Sequence, residues 1–135
     1  MTEDHVRATR AAIEQITTIS TGDDSPVLML NMNRYSTAAG YPDGDEYRSY
    51  MQCLNHSVEA GGGRVLWHTP VDGVVIGCDH DTYDEILAVW YPSHSAFLEL
   101  PKADGADAMF AGRAVCVEHA TILALPGDRH PLQPD

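Results

Sequence analysis

Apolar residues recur along this chain with two different periods. From Val27 to Arg34 five of eight positions are apolar, which reads as a strand with Leu28, Leu30 and Met32 on one face and Val27 and Met29 on the other. From about Gly44 the period changes. Tyr47, Tyr50, Met51, Leu54 and Val58 form the stripe of an amphipathic helix. Asp43 and Glu46 have the spacing of a capping box at its start, and Gly61 to Gly63 supply a left-handed stop.

Beyond the glycines, Arg64 to His68 and Val71 to Gly77 read as two short β-runs interrupted by Pro70, which has no N–H for a ladder. Glu85 to Tyr91 is another apolar strand. Pro92 and Ser93 open a short helix that directs Ala96, Phe97 and Leu100 inward and breaks at Pro101. Ala106 to Phe110 resumes helix, Gly112 ends it, and Val115 to Leu125 is the last strand. At the other end, Thr2 to Ile19 carries a weak helical stripe of Ile13, Ile16 and Ile19 with Thr2 as cap, followed by the turn-rich linker Ser20 to Ser25. The expected organisation is an N-terminal helical extension and linker (1–25), a core domain (26–126) and a flexible polar tail (127–135).

Strand, helix, strand pair, strand, helix and strand make a split βαβ pattern: an α+β fold with an antiparallel sheet and its helices on one face. The other face is left bare, although the strands are apolar on both sides. Exposing it is unfavourable at about 25 cal/mol per Å², so a second copy is expected to cover it, giving a homodimer whose two sheets form a shared barrel.

Composition narrows the functions open to such a fold. With 135 residues and 44% hydrophobic positions the chain can bury a proper core. Its formal charge of -12 opposes binding to nucleic acid or to an anionic membrane surface, and no apolar run is long enough to span a bilayer. Three cysteines without CxxC spacing argue against a disulfide framework and a cysteine zinc site, and point to a reducing cytoplasm. The expectation is no metal and no cofactor.

From Pro26 to Leu125 the chain resembles the ferredoxin-like dimeric alpha/beta-barrel superfamily, and within it a family catalogued as a domain of unknown function. The resemblance rests on LNMNRY, DEYRSYM, GGGRVLW, VDGVVIG, YDEILAVWYPSHSAFLEL and GRAVCVEHATILAL. The YPS-x-x-AF junction is its most specific part. The chain departs from the family in its N-terminal extension, in Tyr83 where tryptophan is common, and in Gly112 where a histidine often precedes the arginine matched by Arg113. The superfamily includes cofactor-independent monooxygenases, lactone isomerases, polyketide cyclases and haem-degrading enzymes. In the last of these a first-strand asparagine and a third-strand tryptophan resemble Asn33 and Trp90, but their helical histidine has no match between Ala103 and Gly112.

The candidate chemistry lies where polar groups interrupt the strands. Asn31, Asn33 and Tyr35 share parity, so their hydrogen-bonding groups project in a row and can orient a carbonyl or stabilise an oxyanion. His68 and His119, both on strands, are the candidate proton carriers. Arg34 faces the other way and suits a carboxylate or an anionic ligand. Trp67 and Trp90, with Tyr47, Tyr50 and Phe97, are expected to wall an aromatic pocket between sheet and helices for a small hydrophobic ligand, and Asp84 is a further candidate ligand-binding residue. Plain structural roles compete with each assignment: a packed histidine, a strand-end asparagine satisfied by water, core aromatics. The reading that joins them is a cofactor-independent cyclase, isomerase or lyase acting by general acid-base catalysis on a small hydrophobic carbonyl compound. The alternatives are a non-catalytic ligand-binding or structural dimer and, more weakly, a monooxygenase.

Overall fold

A computed structural model describes residues 10–135. Helix α1 (Arg10–Thr21) leads into strand β1 (Val27–Tyr35), helix α2 (Asp45–Ala60), strands β2 (Arg64–Pro70) and β3 (Glu85–Tyr91), helices α3 (His94–Leu98) and α4 (Ala106–Cys116), and strand β4 (Val117–Pro126). The four strands form one antiparallel sheet in the order β2-β3-β1-β4. This is the expected split βαβ arrangement, a ferredoxin-like α+β fold. The cap expected for α1 at Thr2 lies outside the described residues.

The core lies between one face of the sheet and the helices. Val27, Met29 and Tyr35 of β1 and Leu87, Val89 and Tyr91 of β3 meet Tyr47, Tyr50, Met51, Leu54 and Val58 of α2 and Met109 of α4. The helical stripe read from the sequence is therefore the buried face of α2. Its glycine stop also forms: Gly62 takes φ +91° and the Gly63 N–H donates to the Val58 carbonyl at 2.9 Å. Ser93 caps α3, its hydroxyl accepting from the Ala96 N–H at 3.0 Å.

Three local expectations are corrected. The N-cap of α2 is Gly44, with no side-chain bond from Asp43. Asp45 and Glu46 still place negative charge in the first turn, where the helix dipole favours it. Helix α4 does not stop at Gly112 but continues to Cys116. Gly112 instead serves packing, since a Cβ there would already touch the Tyr50 side chain at 3.4 Å. Finally, Val71 to Gly77 is loop. The Val71 N–H donates to the Asp84 carbonyl at 2.9 Å, and beyond it the segment has no strand to pair with, leaving Val75 and Ile76 exposed.

Helix α1 and the linker are tied to α3. The Ser95 N–H donates to Asp24 at 2.9 Å, and His94 is buried with Nδ1 donating to the Ser25 carbonyl at 2.5 Å. At the C-terminal end, the Trp90 indole donates to the Gly127 carbonyl at 2.8 Å.

Candidate functional site

Among the described residues, one carboxylate side chain lies almost wholly inside this fold. Glu85 opens β3 with the same parity as Leu87, Val89 and Tyr91 and is 1% exposed. A carboxylate there needs donors for both oxygens. The Tyr35 hydroxyl donates to Oε1 at 2.5 Å, the Tyr47 hydroxyl donates to Oε2 at 2.8 Å, and His68 Nδ1 lies 2.7 Å from Oε2. Tyr35 comes from β1, Tyr47 from the first turns of α2 and His68 from β2, so three elements converge on one group.

His68 reaches this face because β2 is bulged. Val65 pairs with Val89 and His68 with Leu87, but Trp67 rather than Leu66 pairs with Ala88. The extra residue resets the alternation. It puts His68 on the helix face and leaves Trp67 on the bare face, 45% exposed.

In the tautomer whose Nδ1 carries the proton, His68 donates to Glu85 and Nε2 is left open to accept. The His68 side chain is 48% exposed, against 2% for that of Glu85. The pair is therefore an imidazole open to solvent held by a buried carboxylate. Both tyrosine hydroxyls are held protonated well above the ordinary phenol range, by burial first and by the bond to Glu85 second.

Asn33 completes the network. It is 1% exposed, and its amide nitrogen donates to the Tyr35 hydroxyl at 3.4 Å, while its amide oxygen is buried with no hydrogen-bond partner among the described residues. Around these groups three tyrosine rings pack together. Tyr41 stacks on Tyr35 with centroids 4.9 Å apart, and Tyr47 meets both edge-on at 5.2 and 4.9 Å. Beside them an open cleft of about 320 Å³ is lined by Tyr35, Ser36, Thr37, Gly40, Tyr41 and Asp84. Asp84 accepts the Tyr35 backbone N–H at 2.8 Å, which ties the cleft wall to the network.

The remaining candidates are dispersed. Asn31 turns its amide to its own strand, donating to the Met29 carbonyl at 3.1 Å. Arg34 lies on the bare face, paired with Glu118 at 2.9 Å and donating to the Thr82 hydroxyl at 3.2 Å. His119 pairs with Arg34 across β1 and β4, so it too is on the bare face, stacked on Tyr83 at 5.7 Å. The sheet thus separates His119 from His68. Tyr50 is core, its hydroxyl pushed up to about 12 by burial, with Arg113 acting in the opposite direction. Neither tryptophan walls a pocket between sheet and helices, which corrects that expectation. Trp90 has the bare-face parity of Ala88 and Ile86, and the bulge turns Trp67 the same way. Phe97 packs edge-on against Tyr91.

Sequence reasoning misses Glu85 and Tyr41 as site residues, and it places Tyr47 only as a pocket wall, not as a donor to a buried carboxylate. Glu85 had one legible signal, a charge on the inward parity of an apolar strand. Tyr41, on a loop, had none.

No protein-family model matches the chain, and no curated protein matches it. Solved structures do. A protein of unknown function from Rhodopseudomonas palustris is 26% identical, with a TM-score of 0.72, covering 96% of this chain and 98% of that one. Its methylated form is 25% identical over 94% and 97%, again at 0.72. A dimeric ferredoxin-like protein of unknown function from Thermobifida fusca is 10% identical, covers 76% of this chain and 92% of its own, and has a TM-score of 0.55. The ferredoxin-like resemblance read from the sequence agrees with these neighbours.

Proposed function

We propose that this protein is a small-molecule enzyme of the cyclase, isomerase or lyase kind, acting without a cofactor by general acid-base catalysis on a small hydrophobic carbonyl compound. The observation that carries the reading is the 2.7 Å contact between His68 and the buried Glu85. A buried carboxylate that orients an imidazole and stabilises its cation is a common way to build a base. In this reading His68 Nε2 takes a proton from the substrate and returns it. Glu85 holds the ring, Tyr35 and Tyr47 hold Glu85, and Asn33 positions Tyr35. The cleft beside Tyr41 is about 320 Å³, within the range of small-ligand sites, about 300 to 1,000 Å³.

The test is proton exchange. Incubated in D2O with a panel of small aryl ketones, the protein is expected to speed deuterium entry at the α-carbon, read by NMR. His68→Gln removes about 100- to 10,000-fold of that acceleration, and His119→Gln leaves it intact. Full activity in His68→Gln removes histidine as the base. No exchange with any ketone, together with a small-molecule adduct in native mass spectrometry, favours a binding protein. That second reading has its own support, since both tyrosine hydroxyls are already bonded to Glu85.

The working unit in this proposal is a homodimer. Leu30, Met32, Ile86, Trp90, Trp67 and Leu123 share the bare face by register, and Trp67 and Leu123 are each 45% exposed. Covering such a patch with a second copy removes apolar area from water. The T. fusca neighbour is described as dimeric.

A further inference from the structure

The loop between β2 and β3 gathers three metal-ligating side chains within four consecutive residues, Cys78-Asp79-His80-Asp81. One ligand atom from each of Cys78, His80 and Asp81 lies within 4.8 Å of the others. None of the three belongs to the Glu85 network. We propose that this turn binds a divalent transition metal ion of the zinc type, with the Cys78 sulfur, the His80 imidazole and the Asp81 carboxylate as ligands.

The backbone explains why these groups meet. Residues 79–81 form a 3-10 turn in which the Asp81 N–H donates to the Cys78 carbonyl at 3.0 Å and the Cys78 N–H donates to Asp81 Oδ2 at 2.8 Å. Positions i and i+3 are thereby drawn together, the spacing at which paired cysteines hold zinc. His80 adds a third donor from inside the same turn. Around a tetrahedral ion with bonds of about 2.0 to 2.3 Å, ligand atoms sit about 3.5 Å apart. The present spacing closes to that by side-chain rotation, because Cys78 and His80 are exposed.

The chemistry of the set is selective. Thiolate, imidazole and carboxylate together are too soft for calcium or magnesium and suit zinc. Binding sends the Cys78 thiol proton to solvent, and the resulting thiolate and the Asp81 carboxylate balance the two positive charges of the ion. The remaining position is left to water. From Val71 to Asp84 the loop holds Asp72, Asp79 and Asp84 besides Asp81, against the Arg34 guanidinium that reaches the Thr82 hydroxyl and is itself paired with Glu118, so the balance of its field favours a cation.

Cobalt(II) is the direct probe. Titrated into the full chain under reducing conditions, it is expected to bind one ion per chain, with a near-ultraviolet thiolate-to-cobalt charge-transfer band and the strong visible absorption of a four-coordinate ion, both abolished by added zinc. Cys78→Ser removes the charge-transfer band, His80→Ala and Asp81→Asn each weaken binding by about tenfold or more, and Cys53→Ser changes nothing. Binding without a thiolate band, a band that survives in Cys78→Ser, or unaltered affinity in both His80→Ala and Asp81→Asn would overturn the assignment and leave the cluster as a turn cap alone.

Discussion

The two faces of this sheet are built from the same strands, yet they treat polar side chains in opposite ways. On the helix-covered face, Asn33, Tyr35 and Glu85 are 1%, 7% and 1% exposed, so water is a poor partner and they must satisfy one another. On the bare face, Arg34 meets Glu118, and Tyr83 both stacks on His119 and shares a 2.6 Å hydrogen bond with Thr121. The first arrangement is a linked network in which removing one member strands the others. The second is a set of smaller groups, Arg34 with Glu118 and Thr82, and Tyr83 with His119 and Thr121, that share no common acceptor. His119 on the bare face is nearly as buried as Tyr35, 8% against 7%, so what makes the first group a unit is the shared acceptor, Glu85.

The largest test of this contrast is Glu85→Ala. It leaves two buried phenols and an imidazole without their common acceptor. We expect a loss of about 3 to 5 kcal/mol, the range for removing one partner of a buried charged cluster, seen as a lower midpoint in urea. Replacing Tyr83 by Phe on the bare face removes a single part-buried hydrogen bond, and about 1 kcal/mol is expected. Equal losses for the two variants would mean that the Glu85 group is not cooperative.

The contrast also marks what could be read from the sequence. Strands β1 and β3 and the α2 stripe followed from periodicity, because burying apolar side chains is what sets those elements, whereas Val71 to Gly77 has a strand's composition and no partner strand. The parity of Asn33 and Tyr35 on β1 was equally legible. What failed depended on one residue of register. A bulge at Leu66 cannot be seen in RVLWH, yet it sends His68 inward and Trp67 outward. The pairing of His119 with Arg34, which places it on the far face, needs the β1–β4 register, itself shifted between Arg34 and Tyr35. Gly112 looked like a helix stop, because close packing of two helices leaves no mark on one of them alone.

Covering the bare face is the next effect in size. Leu123→Lys places a charge in the middle of the apolar patch that a second copy would bury. We expect at least about a hundredfold weaker self-association, or roughly 2.7 kcal/mol, measured by light scattering after gel filtration across a dilution series. The fold and the Glu85 network should be unaffected, since Leu123 lies on the opposite side of the sheet. A chain that is monomeric before substitution would show that the bare face is not a self-association surface.

The smallest expected effect concerns the attachment of α1, and its sign follows from one carboxylate. Asp24 adopts φ +49°, a conformation Asn tolerates about as well. Its carboxyl is held below the ordinary value of 3.8, chiefly by the backbone bond from Ser95. A lowered native value stabilises the fold above the unfolded value, and that contribution is lost as pH falls through the native one. Asp24→Asn removes this linkage while keeping the shape. Between about pH 7 and about pH 3, wild type should therefore lose slightly more stability than the variant in urea titrations, with the difference reduced by added salt because the group is exposed. Parallel stability curves for the two proteins would mean that the Ser95 bond holds α1 against α3 by geometry alone.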